Sequence, residues 1–289
     1  MATSESSARE PSRRVKSRPY PESPADVFMS FWRHRRLVFQ LARRDVAGRY
    51  RGSYLGLGWS LFSPLLMLAV YTLVFGVIFK ARWGTTTTGS VAEFGLVLFT
   101  GLFVFGIFSE CVNRSPSLVL SRANFVKRVV FPLEILPWVA LASSLFHAAV
   151  TLAVLLAASF LIYGGIAVTF PLIIIVLLPL ILFTLGVSWM LAALGVYVRD
   201  VAQTVGVITS ALMFLSPVFY PVSAVPPQVH AIFAINPLTI VLEQARDVLL
   251  WGKGPDYLAL APYLLGSIAI AWLGLVAFQR ARVGFADVL

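Results

Sequence analysis

Cysteine is nearly absent from this chain. Its 289 residues include one, Cys111, which excludes an internal disulfide framework and any site held by several thiolates. Charge is also scarce. Asp, Glu, Lys and Arg make up 12% of the residues, about half the share usual in a soluble domain. Acidic side chains are the rarer kind, 13 against 23 basic ones, which leaves a net charge of +10. No phosphate-cradling G-x-x-x-x-G-K-[ST] loop occurs; the one Gly-Lys pair, Gly252-Lys253, is followed by Gly254. His34, His147 and His230 fall in separate segments and match no metal-ligand spacing. The chain therefore reads as a non-enzyme, with no metal site and no cofactor of its own.

Apolar residues are what the chain has in excess, at 58% of the total and a mean hydropathy of +0.84. The fold class expected is an all-α integral membrane protein, since a helix satisfies its own backbone in lipid. A helix of about 20 residues crosses the hydrocarbon core. Six runs are read as spans: residues 55–79, 94–110, 133–163, 170–197, 201–219 and 258–278. Pro179 predicts a kink in the fourth. Between the fifth and sixth, Pro221, Pro226, Pro227, Pro237 and Pro255 forbid one continuous helix. The apolar pieces 229–235 and 238–250 are read as short re-entrant helices on the extracytoplasmic side, tolerated where protein or water covers their backbone.

The basic residues lie where charge at a membrane surface lies, which argues against nucleic acid as a partner. Twelve of the 23 precede Ser53. With both termini cytoplasmic, nineteen fall on the cytoplasmic side and four on the other, the positive-inside pattern of a multi-pass membrane protein with both ends inside. Residues 1–27 are rich in Ser, Pro, Arg and Glu and are expected to form a disordered cytoplasmic tail, not a secretory signal. Residues 28–289 then make one transmembrane domain. Its first element, 28–51, sets Phe31, Val38, Ala42, Val46 and Tyr50 on one helical face. Arg33, Arg36, Gln40, Arg43 or Arg44, and Arg51 occupy another. This predicts an amphipathic interfacial helix with its apolar face toward acyl chains, or else one packed on a partner protein. Gly56 and Gly58 would let it turn into the bilayer.

Residues 111–132 carry Arg114, Arg122, Lys127 and Arg128 and are too charged to cross. Glu110 and Glu134 are expected to pair with these cations, and Glu243 with Arg246 one turn on. His147 stands mid-span with no second ionisable group deep enough for a proton relay, so it is read as a packing or pore-lining residue. Trp59, Tyr71, Phe219, Tyr220 and Asn236 are the candidate gate or pore residues. Aromatic faces suit the C–H faces of sugars without fixing their register.

Four motifs stand in order along the chain: R-D-V-x-x-R-Y-R-x-S-Y-L-G-x-x-W-x-x-x-x-P at 44–64, N-F-V-K-R-V-V-F-P at 124–132, S-P-V-F-Y-P at 216–221 and N-P-L-T at 236–239. With the six-span layout they resemble the membrane subunit of ABC-2 type polysaccharide exporters, a family that includes O-antigen, capsular polysaccharide, teichoic acid and galactan exporters. The resemblance implies a homodimer with the pore between two copies and a separate ABC ATPase subunit on each copy, which holds ATP and magnesium. It implies a coupling helix at 115–129, with Ser117, Leu118, Arg122, Asn124, Phe125 and Lys127 facing that ATPase, and an external gate at 222–250. The substrate implied is a polysaccharide on undecaprenyl diphosphate, O-antigen first among the candidates. A diphosphate headgroup needs cations near the membrane surface. Arg43, Arg44, Arg49 and Arg51 offer guanidinium groups with bidentate geometry; anionic membrane lipids or the ATPase are alternative partners for them. Two other functions remain open at this point, an ABC-2 exporter of a drug or lipid and an ion-coupled carrier. The carrier would want buried mid-membrane acids and an inverted repeat, and the sequence displays neither.

Overall fold

The computed structural model describes residues 23–79, 83, 90–122 and 131–288, and every regular element among them is a helix. Helix α1 covers Ala25–Arg49, α2 Gly58–Tyr71, α3 Val91–Arg114, α4 Leu136–Tyr163 and α5 Ile173–Tyr197. They are followed by α6 at Val201–Leu215, α7 at His230–Ile235, α8 at Pro237–Leu249, α9 at Tyr257–Arg282 and α10 at Phe285–Val288. Five helical stretches are long and apolar enough to cross a membrane: Gly58–Ile78, Val91–Ser117, Leu133–Tyr163, Phe170–Tyr197 and Tyr257–Arg282. The second is the most enclosed and forms the centre of the bundle, while the first is almost wholly exposed.

In the expected fifth span, 201–219, the helix is shorter than the apolar run. Helix α6 stops at Leu215, 15 residues or about 22 Å long, short of the ~30 Å core. Pro217 is the cause. It disfavours α geometry at the residue before it, and Ser216 is indeed extended (φ −103°, ψ 150°). The chain then runs through Pro221 and two 3₁₀ turns, Val222–Ala224 and Pro227–Val229, to α7 and α8. Two short helices do stand between the fifth and last apolar segments. In α2, the last turns widen into a π-helix, Thr72–Ile78, where Thr72 lies against Gly95 and Val91 against Gly76.

Helix α1 departs from the expected placement. Its stripe of Val27, Val38, Ala42 and Val46 is buried against protein, chiefly α4, with Phe31 against Trp138 at 4.9 Å between ring centroids. Phe28, Met29, Trp32 and Phe39 are the apolar residues left exposed. The helix begins at Ala25, inside the stretch read as tail, and ends at Arg49. The connection to α2 takes positive φ at Gly52 (84°) and Gly56 (51°), a conformation other residues rarely adopt.

Helices α5 and α9 make the most extensive contact in the molecule. Their backbones meet at Gly186 and Gly274, where a Cβ on either would strike the other's main chain. Close approach of this kind supplies dispersion contact where lipid gives no hydrophobic drive. Gly186→Leu should therefore force the helices apart and destabilise by about 1–3 kcal/mol. Gly266→Leu, on α9 with open space around it, should be nearly neutral. Thermal unfolding of the two variants in detergent distinguishes them.

Candidate functional site

Two polar clusters lie near the two ends of α3, at Arg114 and at Val97, about 25 Å apart along its axis. The first is built around Asp45. Its Oδ2 accepts from Arg114 Nη2 at 2.5 Å and from the Ser143 hydroxyl at 2.9 Å, and Arg122 Nη2 stands 3.6 Å from Oδ1. Helices α1, α3 and α4 and the 3₁₀ turn Leu120–Arg122 thus converge on one carboxylate. Burial raises the Asp45 pKa, but the hydrogen bond and charge of Arg114, the Ser143 hydroxyl and Arg122 outweigh it. The carboxyl sits below its ordinary 3.8. Beside it, Arg49 Nη2 donates to Glu110 Oε1 at 2.6 Å, and His147 Nδ1 lies 3.0 Å from the same oxygen and 3.2 Å from Arg49 Nη1. That nitrogen accepts from Arg49 when bare and donates to Glu110 when protonated. A cavity of about 570 Å³ opens here, lined by Leu41, Arg44, Asp45, Gly48, Arg49, Arg114 and Arg122.

The second cluster is built around Arg246 of α8, 1% exposed. Its Nε donates to the Val97 carbonyl at 3.2 Å and its Nη2 to the Val218 carbonyl at 3.0 Å, and the guanidinium lies over the Trp83 ring at 4.2 Å. The ion pair that spacing predicts with Glu243 is not formed; carbonyls of α3 and of the segment after α6 take its place. Asn236 ties the same region together. Its Oδ1 caps α8 at Leu238 N, and its Nδ2 donates to Leu215 O and Ser216 Oγ. Among the described residues no three His, Cys, Asp or Glu side chains are grouped to hold a metal ion.

The family model described as "ABC-2 type transporter" matches residues 36–250 of the chain. The chain belongs to the ABC-2 transporter membrane family. Its relatives include the O-antigen export system permease protein RfbA of Myxococcus xanthus, 27% identical over 262 residues, which cover 89% of this chain and 96% of that protein. A protein of the same name from Klebsiella pneumoniae is 25% identical over 263 residues, 88% of this chain and 95% of its own. The polysialic acid transport protein KpsM of Escherichia coli is 23% identical over 243 residues, 84% and 92% of the two chains.

In this ABC-2 chain the cavity brings together Arg44 and Arg49 from the basic set read in the sequence. Arg43 and Arg51 are exposed and do not line it. Of the residues assigned to coupling, Asn124, Phe125 and Lys127 lie outside the described residues. Ser117 is exposed, Leu118 is buried in the protein's own core, and Arg122 turns inward to Asp45. Pro116 is set against the backbone of α5 at Gly195. Tyr71 and Phe219 stand 6.4 Å apart, with Phe75 and Phe214 stacked on Phe219. The Tyr220 hydroxyl donates to Phe214 O. Trp59 contacts Phe62 and lies twelve residues before Tyr71 on α2, about 18 Å away along the axis.

His147, read in the sequence as having no partner deep enough for a proton relay, lies beside Glu110 and Arg49. Glu110 finds Arg49 at 2.6 Å as well as Arg114 at 3.9 Å. Glu134 pairs with Arg282 at 2.8 Å, from α9 and not from the loop. Asp45 and Ser143 were not singled out by sequence reasoning. The available signal was that Asp45 is the only acidic residue between Asp26 and Glu93.

Arg246→Leu should leave the Val218 carbonyl without its side-chain donor, cut the link to the Val97 carbonyl of α3, and destabilise by about 2 kcal/mol or more. Arg246→Lys should rescue little, since one ammonium does not reproduce the planar fork. Thermal unfolding of both variants against wild type checks this.

Proposed function

We propose that this chain is the membrane subunit of an ATP-driven exporter that moves a lipid-linked polysaccharide across a bacterial inner membrane. The observation that carries this reading is the match to O-antigen export permeases over nearly the whole of both chains, with a polysialic acid transport protein matched nearly as completely. In this reading two copies enclose the pore, and each binds a separate ATPase subunit that holds ATP and magnesium. The absence of a P-loop sequence agrees with that division of labour. Both termini are cytoplasmic, α6 completes a sixth crossing together with the irregular segment after it, and α7 and α8 form the external gate. The glycan is carried on undecaprenyl diphosphate, and the basic face of α1 with Arg43, Arg44, Arg49 and Arg51 meets its headgroup at the cytoplasmic leaflet.

The segment that begins at Ser115 is the coupling element. It is anchored at both ends to the spans it would move. Arg114 and Arg122 tie its start to α1 through Asp45, and Pro116 sits on α5. At its far end Arg282 holds Glu134 and the Phe131 carbonyl, while Trp189 donates to the Glu134 carbonyl at 2.9 Å.

Deleting the gene in its native host should remove a surface polysaccharide and leave the lipid-linked glycan inside the cell, scored by glycan staining of surface and cytoplasmic fractions. An unaltered surface glycan overturns the reading. Gly195→Leu, which drives Pro116 off α5, should cut export about tenfold or more while ATP hydrolysis by the assembled complex continues. Paired export and phosphate-release assays measure it.

A further inference from the structure

The arginine-lined cavity already contains an anion, and it belongs to the protein. Four guanidinium groups line it, from Arg44, Arg49, Arg114 and Arg122, and one carboxylate, Asp45. Glu110 holds Arg49 beside it. Asp45 serves two of the four arginines, and serves them incompletely. Arg114 Nη1 and Arg122 Nη1 are buried and have no hydrogen-bond partner; the nearer oxygen of Glu110 is 3.9 Å from Arg114 Nη1. A buried guanidinium N–H without an acceptor is a standing penalty. Two carboxylate oxygens, one of them also engaged by Ser143, are too few for two guanidinium forks. An anion with more oxygens, spread over two tetrahedral centres, matches two forks better. The cavity volume lies within the usual range for small-molecule sites, about 300–1,000 Å³.

We propose that Asp45 occupies the headgroup site of the unloaded transporter, and that a diphosphate entering this cavity displaces Asp45 from Arg114 and Arg122. Those two arginines flank the start of the segment Ser115–Ser117, and Asp45 belongs to α1. The exchange therefore frees α1 from that segment at the moment the cavity fills. Loading is thereby reported to the ATPase side by a change of ion-pair partner, with no separate sensor. The proposal rests on the polysaccharide-export reading for the source of the diphosphate and for the coupling role of the segment.

The test uses the full complex, this chain with its ATPase, in lipid nanodiscs. Inorganic pyrophosphate and farnesyl diphosphate are titrated separately, with binding and ATP hydrolysis both measured. Asp45→Asn removes the resident charge and should tighten binding of the diphosphate that binds by about tenfold or more. It should also raise hydrolysis without any diphosphate to the rate the wild type reaches only with it. Ser143→Ala loosens Asp45 without touching an arginine and should move both readouts the same way by a smaller factor, about threefold. Response to both compounds identifies the diphosphate alone as the signal; response to farnesyl diphosphate only identifies a lipid-borne one, and either supports the exchange. Binding no tighter in both variants overturns it, as does hydrolysis in both that still depends on diphosphate as in wild type. Intact export with untightened binding defeats the exchange alone; tightened binding with no glycan export defeats the polysaccharide reading alone.

Discussion

A backbone carbonyl freed at membrane depth has no water to turn to. The end of the bundle where α6 stops is organised around that constraint. Proline breaks the chain after α6, and the break releases carbonyls that neither α6 nor α7 can satisfy. Side chains from elsewhere supply the missing donors. Arg246 reaches Val218 and links it to the Val97 carbonyl of α3, and Asn236 reaches Leu215. This explains how an arginine is buried without an acid. Its acceptors are carbonyl dipoles, and an aromatic face covers its plane. Helix α8 must therefore lie beneath the break, which fixes the irregular segment between α6 and α8 against α3.

The other end of α3 solves a different problem. Here the groups are fully charged, and they are tolerated because each lies where an opposite charge from another helix can reach it. Asp45, Glu110, Arg49, Arg114 and Arg122 join α1, α3 and the segment after it, and Ser143 and His147 add α4. Because α3 carries contacts of both clusters, a tilt imposed near Arg114 is felt near Val97 without an intermediate relay.

Elements bounded by strong punctuation were readable from the sequence. The third and fourth apolar stretches, Leu133–Tyr163 and Phe170–Tyr197, begin and end as expected, because Pro132, Gly164-Gly165, Pro171 and Arg199 flank long apolar runs. In the fifth run the helix ends at Leu215, before the expected 219, because hydropathy continues through Pro217 although helix geometry does not. The apolar stripe of α1 was visible by its periodicity, but periodicity does not reveal what covers a stripe, and α4 covers it in place of acyl chains. Ion pairs were the least legible part of the candidate site. Arg114 was expected to find an acid close by, yet its shortest contact is to Asp45, 69 residues away. Only the fold brings those two positions together.

The crossing of α5 and α9 also governs how the protein is made. Gly186 and Gly274 are 88 residues apart, and Gly274 lies in the last long helix. The most extensive helix contact among the described residues is thus unavailable until α9 has been made. Until then α5 has only its less extensive contacts with α3, α4, α6 and α8. A chain arrested before α9 should be a target for membrane proteases, because it lacks the most extensive contact that α5 makes.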